Sequence, residues 1–159
     1  MAEKTNASRI LDRLGINYEL IEYPVDPEHL EANHIAEVLG EDISLVFKTL
    51  VLRGDKTGVL VCIVRGDKEV DLKKAAQVSG NKKVAMIPLK ELQPLTGYIR
   101  GGCTAIGMKK SFPVFIDEDA LNHPLIYVSA GRRGLQLKIE PSELIKATKS
   151  SVADISSGY

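Results

Sequence analysis

The chain has 159 residues, the length of one ordinary compact domain. Apolar residues make up 44% and charged residues 26%, with 21 Lys and Arg balanced by 21 Asp and Glu. A formally neutral chain does not hold a nucleic acid by bulk charge, so any such contact requires a local basic patch.

Ala7, Ile10, Leu11 and Leu14 share one helical face closed by Gly15, which predicts a first helix over 7–14. Alternation around Tyr18 and Leu20 predicts a strand over 17–23, followed by a turn from Pro24 to Pro27. A second amphipathic helix is expected over 30–39, with Ile35, Val38 and Leu39 inward and Gly40 ending it. Residues 46–52 and 59–64 are β-rich, and the Arg53-Gly54-Asp55-Lys56-Thr57-Gly58 turn between them predicts a hairpin. Asp71 can cap a helix running to Ser79, with Gly80 beyond it. A short strand over 83–87 leads to Pro88 and a helix over 89–93. A glycine-rich loop spans 97–110, strands are expected over 114–117 and 125–129, and a basic turn over 131–134 joins a strand over 135–139. Pro141 can start a last helix carrying Leu144, Ile145 and Thr148, and the tail from Ser150 is expected to fray.

Many of these strands follow one another without a helix, which disfavours a doubly wound α/β sheet. The pattern predicts a mixed α+β domain over 1–159, with an antiparallel-rich, curved or barrel-like sheet flanked by short helices. No run of about 18 apolar residues is present to span a membrane. Met1-Ala2-Glu3-Lys4-Thr5 lacks an apolar signal core, so Asn6-Ala7-Ser8 reads as a chance glycosylation match. Cys62 and Cys103 have no paired spacing, which suits a reducing cytoplasm.

Most catalytic patterns are missing. His29 and His34 do not share the spacing that puts two ligands on one helix face, so no metal or cofactor is expected. Asp117-Glu118-Asp119 reads as a solvated turn. There is no Gly-x-Ser-x-Gly elbow. Cys62 lies in an apolar β-run and reads as an inert buried thiol. Cys103 follows Gly101-Gly102 and is either a nucleophile or a loop cysteine without a role. The stretch from Gly102 to Ser111 resembles a phosphate-binding loop, but Met108 displaces its lysine, which excludes nucleotide hydrolysis by that motif. The loop can still aim several backbone N–H groups at an anion. Four basic pairs recur, Lys73-Lys74, Lys82-Lys83, Lys109-Lys110 and Arg132-Arg133. Lys48 interrupts an apolar strand, where it either faces solvent or serves a site.

Several segments together resemble the YbaK-type aminoacyl-tRNA editing family. These are Val46-Phe47-Lys48-Thr49-Leu50, the Gly-Gly loop from Thr96 to Lys110, Ile126 through Leu135, Asp71-Leu72-Lys73-Lys74, and Tyr23 ahead of Asp26-Pro27. The resemblance runs from about Ser8 to Ile155. It implies a mixed α/β domain that hydrolyses cysteine mischarged onto tRNA(Pro), acting with prolyl-tRNA synthetase in the cytoplasm. It implies an essential Lys48 at the substrate, N–H groups of Gly101 and Gly102 at the oxyanion, and a pocket shaped by Tyr23, Thr49, Ser129 and Gly131. The cysteinyl thiol of the substrate would attack its own ester. Gln136 departs from the acidic residue of some members, and Cys103 is not demanded by the pattern. Two other readings stay open: deacylation of another ester such as alanyl-tRNA(Pro), and a non-catalytic tRNA- or synthetase-binding module.

Overall fold

Helix α1 (Asn6–Arg13) begins at a capping box, in which Thr5 Oγ1 accepts from the Ser8 N–H and Ser8 Oγ accepts from the Thr5 N–H. The computed structural model describes residues 3–157, and Met1, Ala2, Gly158 and Tyr159 lie outside them. Ala7 and Leu11 are buried, whereas Leu14 at the C-cap is exposed. Strand β1 (Glu19–Glu22) is shorter than its alternation suggests. Helix α2 (Ala32–Leu39) buries Ile35 and Ala36 and leaves Val38 exposed, so its inner face is rotated from the expected one.

The hairpin forms as predicted from β2 (Phe47–Gly54) and β3 (Gly58–Arg65), with an unbroken register from Phe47↔Arg65 to Gly54↔Gly58. After the short β4 (Glu69–Val70), Asp71 caps α3 (Leu72–Ser79) by accepting from the N–H groups of Lys73 and Lys74. Then come β5 (Val84–Met86) and a 3-10 turn over Leu89–Glu91. Helix α4 (Leu92–Thr96) follows, so the single helix expected over 89–93 is two pieces. The glycine loop leads to β6 (Val114–Asp117), β7 (Ile126–Ser129), β8 (Leu135–Ile139) and α5 (Pro141–Thr148).

The tail departs from expectation. Residues 151–157 are ordered into β9 (Ser151–Ala153), parallel to β6, and β10 (Ser156–Ser157), antiparallel to β4. Ile155 is fully buried with Leu60, Cys62 and Ala75. The cause lies in Asp117, which is buried rather than in a solvated turn. Its Oδ1 accepts from the N–H groups of Ile155 and Ser156, at 2.9 and 3.1 Å. A buried carboxylate is tolerable because backbone donors satisfy it.

The strands form a three-stranded sheet β1-β8-β7, a five-stranded sheet β5-β2-β3-β6-β9 and the pair β10-β4. Most pairs are antiparallel, while β3–β6 and β6–β9 are parallel. The architecture is mixed α+β and antiparallel-rich, with no closed barrel among the described residues. The main core joins the two larger sheets through Phe47, Val51, Ile63, Ile116, Val128 and Leu137. No described helix is long and apolar enough to cross a membrane.

Candidate active site

The site arises where the two larger sheets part. Val46 bridges Tyr127 in parallel, at the entrances of β2 and β7. Beyond that bridge β2 turns to its own sheet partners. A cavity of about 510 Å3 fills the resulting wedge, with residues 46–51 on one side and Ser129 and Gln136 on the other. Consecutive residues of β2 can all line it because a strand edge, not a strand face, forms the wall. On that edge β5 pairs only Leu52–Gly54, and the Ile87 N–H donates to the Val51 carbonyl at 3.2 Å. The two-residue repeat of a strand then directs the N–H and carbonyl of Thr49 to the same edge, beyond the reach of β5.

Lys48, the second residue of β2, enters this wedge half-buried. Burial holds its ammonium below the usual lysine pKa, and the carboxylates of Glu69 and Asp67 only partly offset that. A cation drawn partly out of water is primed to receive an anion or to polarise a carbonyl.

The glycine loop supplies the adjoining wall through Arg100, Gly101 and Cys103. Gly101 sits at φ 86°, in the left-handed region that favours glycine. Its N–H and that of Cys103 make no protein hydrogen bond among the described residues. The Gly102 N–H is already used, donating to the Ile99 carbonyl at 2.9 Å. Gly102 therefore closes the turn and does not aim its N–H at the cavity. Its lack of a side chain has another purpose: a Cβ there would lie 2.9 Å from Arg132 Cα and 3.1 Å from Arg133 N. The loop can approach the β7–β8 turn only through glycine.

The structure thus brings Lys48, Thr49, Gly101 and Ser129 together around one cavity. Tyr23, Gly102 and Gly131 are not among its lining residues. Tyr23 packs against the cluster of Ile35, Ala36, Val46 and Tyr127. Gly131 donates its N–H to Ser129 Oγ at 3.2 Å, so it holds that hydroxyl rather than the ligand space.

Gln136 is the residue that sequence reasoning set aside. It is 3% exposed, lines the cavity, and its Oε1 is buried with no hydrogen-bond partner. The signal was a polar residue set between Leu135 and Leu137. Such an atom costs about 1–3 kcal/mol when unpaired, so it marks a place where a donor can be received. Cys103 lines the cavity but is buried, and desolvation pushes its thiol up to about 12. Cys62 is fully buried and equally pushed up to about 12. Neither thiol is ionised near neutral pH. No histidine lines the cavity among the described residues. Glu31 is its one lining carboxylate there, and it lies 3.2 Å from His29 Nδ1.

Known proteins resemble this chain in sequence and fold. The Enterococcus faecalis protein EbsC, named as a candidate Cys-tRNA(Pro)/Cys-tRNA(Cys) deacylase, is 46% identical over 153 residues, covering 96% of this chain and 93% of EbsC. A crystal structure described as a candidate trans-editing enzyme for prolyl-tRNA synthetase superposes with a TM-score of 0.84 at 27% identity, covering 98% of this chain and all of that one. The crystal structure of the protein APE2540 gives a TM-score of 0.88 at 25% identity, over 96% of this chain and all of its own. Residues 26–147, which hold the cavity's two strand walls and the glycine loop, match the model of the aminoacyl-tRNA editing domain. With most of its length matched and its fold shared end to end, the chain belongs to the aminoacyl-tRNA editing domain family.

Proposed function

We propose that this protein is a trans-acting deacylase that removes cysteine mischarged onto tRNA(Pro). The observation that carries the reading is the composition of the wedge. A half-buried lysine and two residues whose backbone N–H groups have no protein partner among the described residues line it, while the protein's own thiols are protonated and buried. Such a site can hold and polarise an ester but has no activated nucleophile of its own. The nucleophile then comes with the substrate. The cysteinyl sulfur attacks its own carbonyl carbon, the bond from that carbon to the ribose oxygen breaks, and the thiol proton ends on the departing hydroxyl. The products are tRNA and cysteine thiolactone, which water opens to cysteine. The intramolecular step gains from proximity. Lys48 and the Gly101 and Cys103 N–H groups face the developing oxyanion. Gln136 and the Thr49 carbonyl can accept from the substrate ammonium, and Ser129, fixed by Gly131, shapes the amino-acid end of the wedge.

Cysteine and proline are similar in size, so a synthetase pocket separates them poorly and a second hydrolytic check is useful. A neutral domain of this size does not select a tRNA body unaided. Prolyl-tRNA synthetase in the cytoplasm supplies that selection.

The test is a panel of purified mischarged tRNAs together with the Cys62→Ala, Cys103→Ala double variant. Wild type should hydrolyse cysteinyl-tRNA and act poorly on the seryl ester of the same tRNA. The double variant should retain most of its activity. Comparable turnover of the seryl or alanyl ester, or inactivity of the folded Cys103→Ala variant, would overturn the mechanism.

A further inference from the structure

The four basic pairs are not spread evenly over the fold. Lys73-Lys74 lies on α3, where Lys74 Nζ is paired with Asp154 at 3.0 Å. Lys82-Lys83 precedes β5, with both backbone N–H groups on Asp55. The other two pairs sit on two loops that touch. Gly102 backs onto the Arg132 backbone, Arg133 Nε donates to the Arg100 carbonyl at 2.8 Å, and Gly97 lies against the Lys109 side chain. Tyr98 ties the loops further, with its hydroxyl on the Ile106 carbonyl and its ring beside Gly131. Thr5 Oγ1 anchors the second loop by donating to the Ala130 carbonyl at 2.6 Å.

Arg100, Lys109, Lys110, Arg132 and Arg133 are thereby carried on one two-loop unit, and all but the half-buried Arg133 are exposed. None of the five has a carboxylate partner among the described residues, whereas Lys4, Arg53, Arg65, Lys74 and Lys146 each have one. Residues 97–113 and 130–134 contain no Asp or Glu at all. In a chain of zero net charge, this is segregated and unneutralised positive charge.

We propose that this two-loop unit is a docking rim for the phosphodiester backbone of the tRNA 3′ end. The inference rests on the editing reading and adds the contact that holds the nucleic acid. The same loop that supplies Lys109 and Lys110 supplies Arg100 and Gly101 to the cavity wall. An aminoacyl ester in the wedge leaves its ribose at the mouth, and the next charged groups along that ligand are phosphates. An RNA backbone fits this order of chemistry better than an acidic protein, which has no reason to begin at the cavity. The backbone is read as charge only, so the rim grips any tRNA end of suitable reach.

The experiment uses the full chain with Lys109→Glu, Lys110→Glu and Arg132→Glu combined, and with Lys109→Ala, Lys110→Ala as a milder variant. Lys73→Glu, Lys82→Glu is the charge-matched control on the other basic group. Probes are a deacylated tRNA(Pro) transcript, a short single-stranded RNA of its 3′ end, and 3′-cysteinyl adenosine, an ester without phosphates. The triple variant should bind both RNAs at least about tenfold more weakly at low salt, and its slope of log Kd against log salt should fall by about 2. Its kcat/KM on cysteinyl-tRNA relative to cysteinyl adenosine should drop by about the same factor, and the milder variant should fall between. The control should match wild type. Weakened binding of the transcript alone would place the contact on the duplex and overturn the 3′-end assignment. An unchanged salt slope in a triple variant with normal thermal melting would overturn the rim, as would equal loss in the control. Intact RNA binding with lost co-elution of prolyl-tRNA synthetase would assign the surface to a protein instead. If wild type hydrolyses no aminoacyl ester, the editing reading falls while the binding measurements still judge the rim.

Discussion

Ser129 and Gln136 stand directly opposite each other across β7 and β8, and both reach the cavity that Lys48 enters from β2. Cross-strand partners project to the same side of a sheet, so this pair forms one polar face of an otherwise largely apolar wedge.

Replacing Gln136 tests that face. Gln136→Met keeps the volume and removes the unpaired Oε1, so the melting temperature should hold or rise, by up to about 1–3 kcal/mol in stability. Cysteinyl-tRNA hydrolysis should fall at least about tenfold, as expected when a hydrogen bond to a charged group is lost. A rise in stability with full activity would make the residue a packing accident.

Lys48→Met should abolish deacylation without destabilising the fold. The folded protein holds Lys48 below its ordinary 10.5, chiefly through burial. Below that lowered value the charge is carried in both states and folding bears its desolvation. Between it and 10.5 the unfolded chain binds more protons, so the Lys48 contribution to stability rises with pH. Wild type minus Lys48→Met, followed by denaturant unfolding across the alkaline range, should show that rise. Activity should fall over the same range as the ammonium is lost, with a midpoint below 10.5.

Gly102→Ala should separate the glycine loop from the β7–β8 turn. Its Cβ would meet the Arg132 backbone at 2.9 Å, and backbone cannot rotate away as a side chain can. The expected cost is about 1–3 kcal/mol of overpacking. Hydrolysis should fall with it, because Gly101 moves with the loop. Thermal melting and kcat/KM measured on the same preparation check both.

Ile155→Ala should cost about 2–5 kcal/mol, since the side chain is fully buried between β3 and α3. Asp117→Asn should also destabilise, because the carboxylate Oδ1 receives two backbone N–H groups from the final segment. Unchanged urea midpoints for both would mean that the C-terminal segment adds nothing.

Much of this could be read from the residues. The β2–β3 hairpin was legible because turn chemistry at residues 53–58 separates two β-branched runs. Lys48 was legible as a charge breaking an apolar run. The C-terminal strands were not. β9 has three residues, its Val152 is exposed, and its order depends on β6 and on Asp117, which lies 38 positions from Ile155. The acidic triplet looked solvated because nothing local shows that distant N–H groups converge on its first member. The use of Gly102 was hidden for a similar reason: a glycine pair advertises loop freedom, not which N–H the turn consumes. Tyr23 and Gly131 fell outside the cavity wall because a linear motif does not say which of its members face inward.

The Val46–Tyr127 bridge has a consequence for selectivity. It is the vertex of an angle, and the gap between two diverging strands widens with every step away from their meeting point. A space of that form grades its contents by depth, like a sliding gauge. On the proposed reading, a short amino-acid side chain would travel toward the vertex, and a bulkier one would stop nearer the mouth with its carbonyl at a different height along β2. Selection would then follow from where the scissile bond comes to rest beside Lys48, and a change at the vertex could reset the scale without altering any residue that touches the ester.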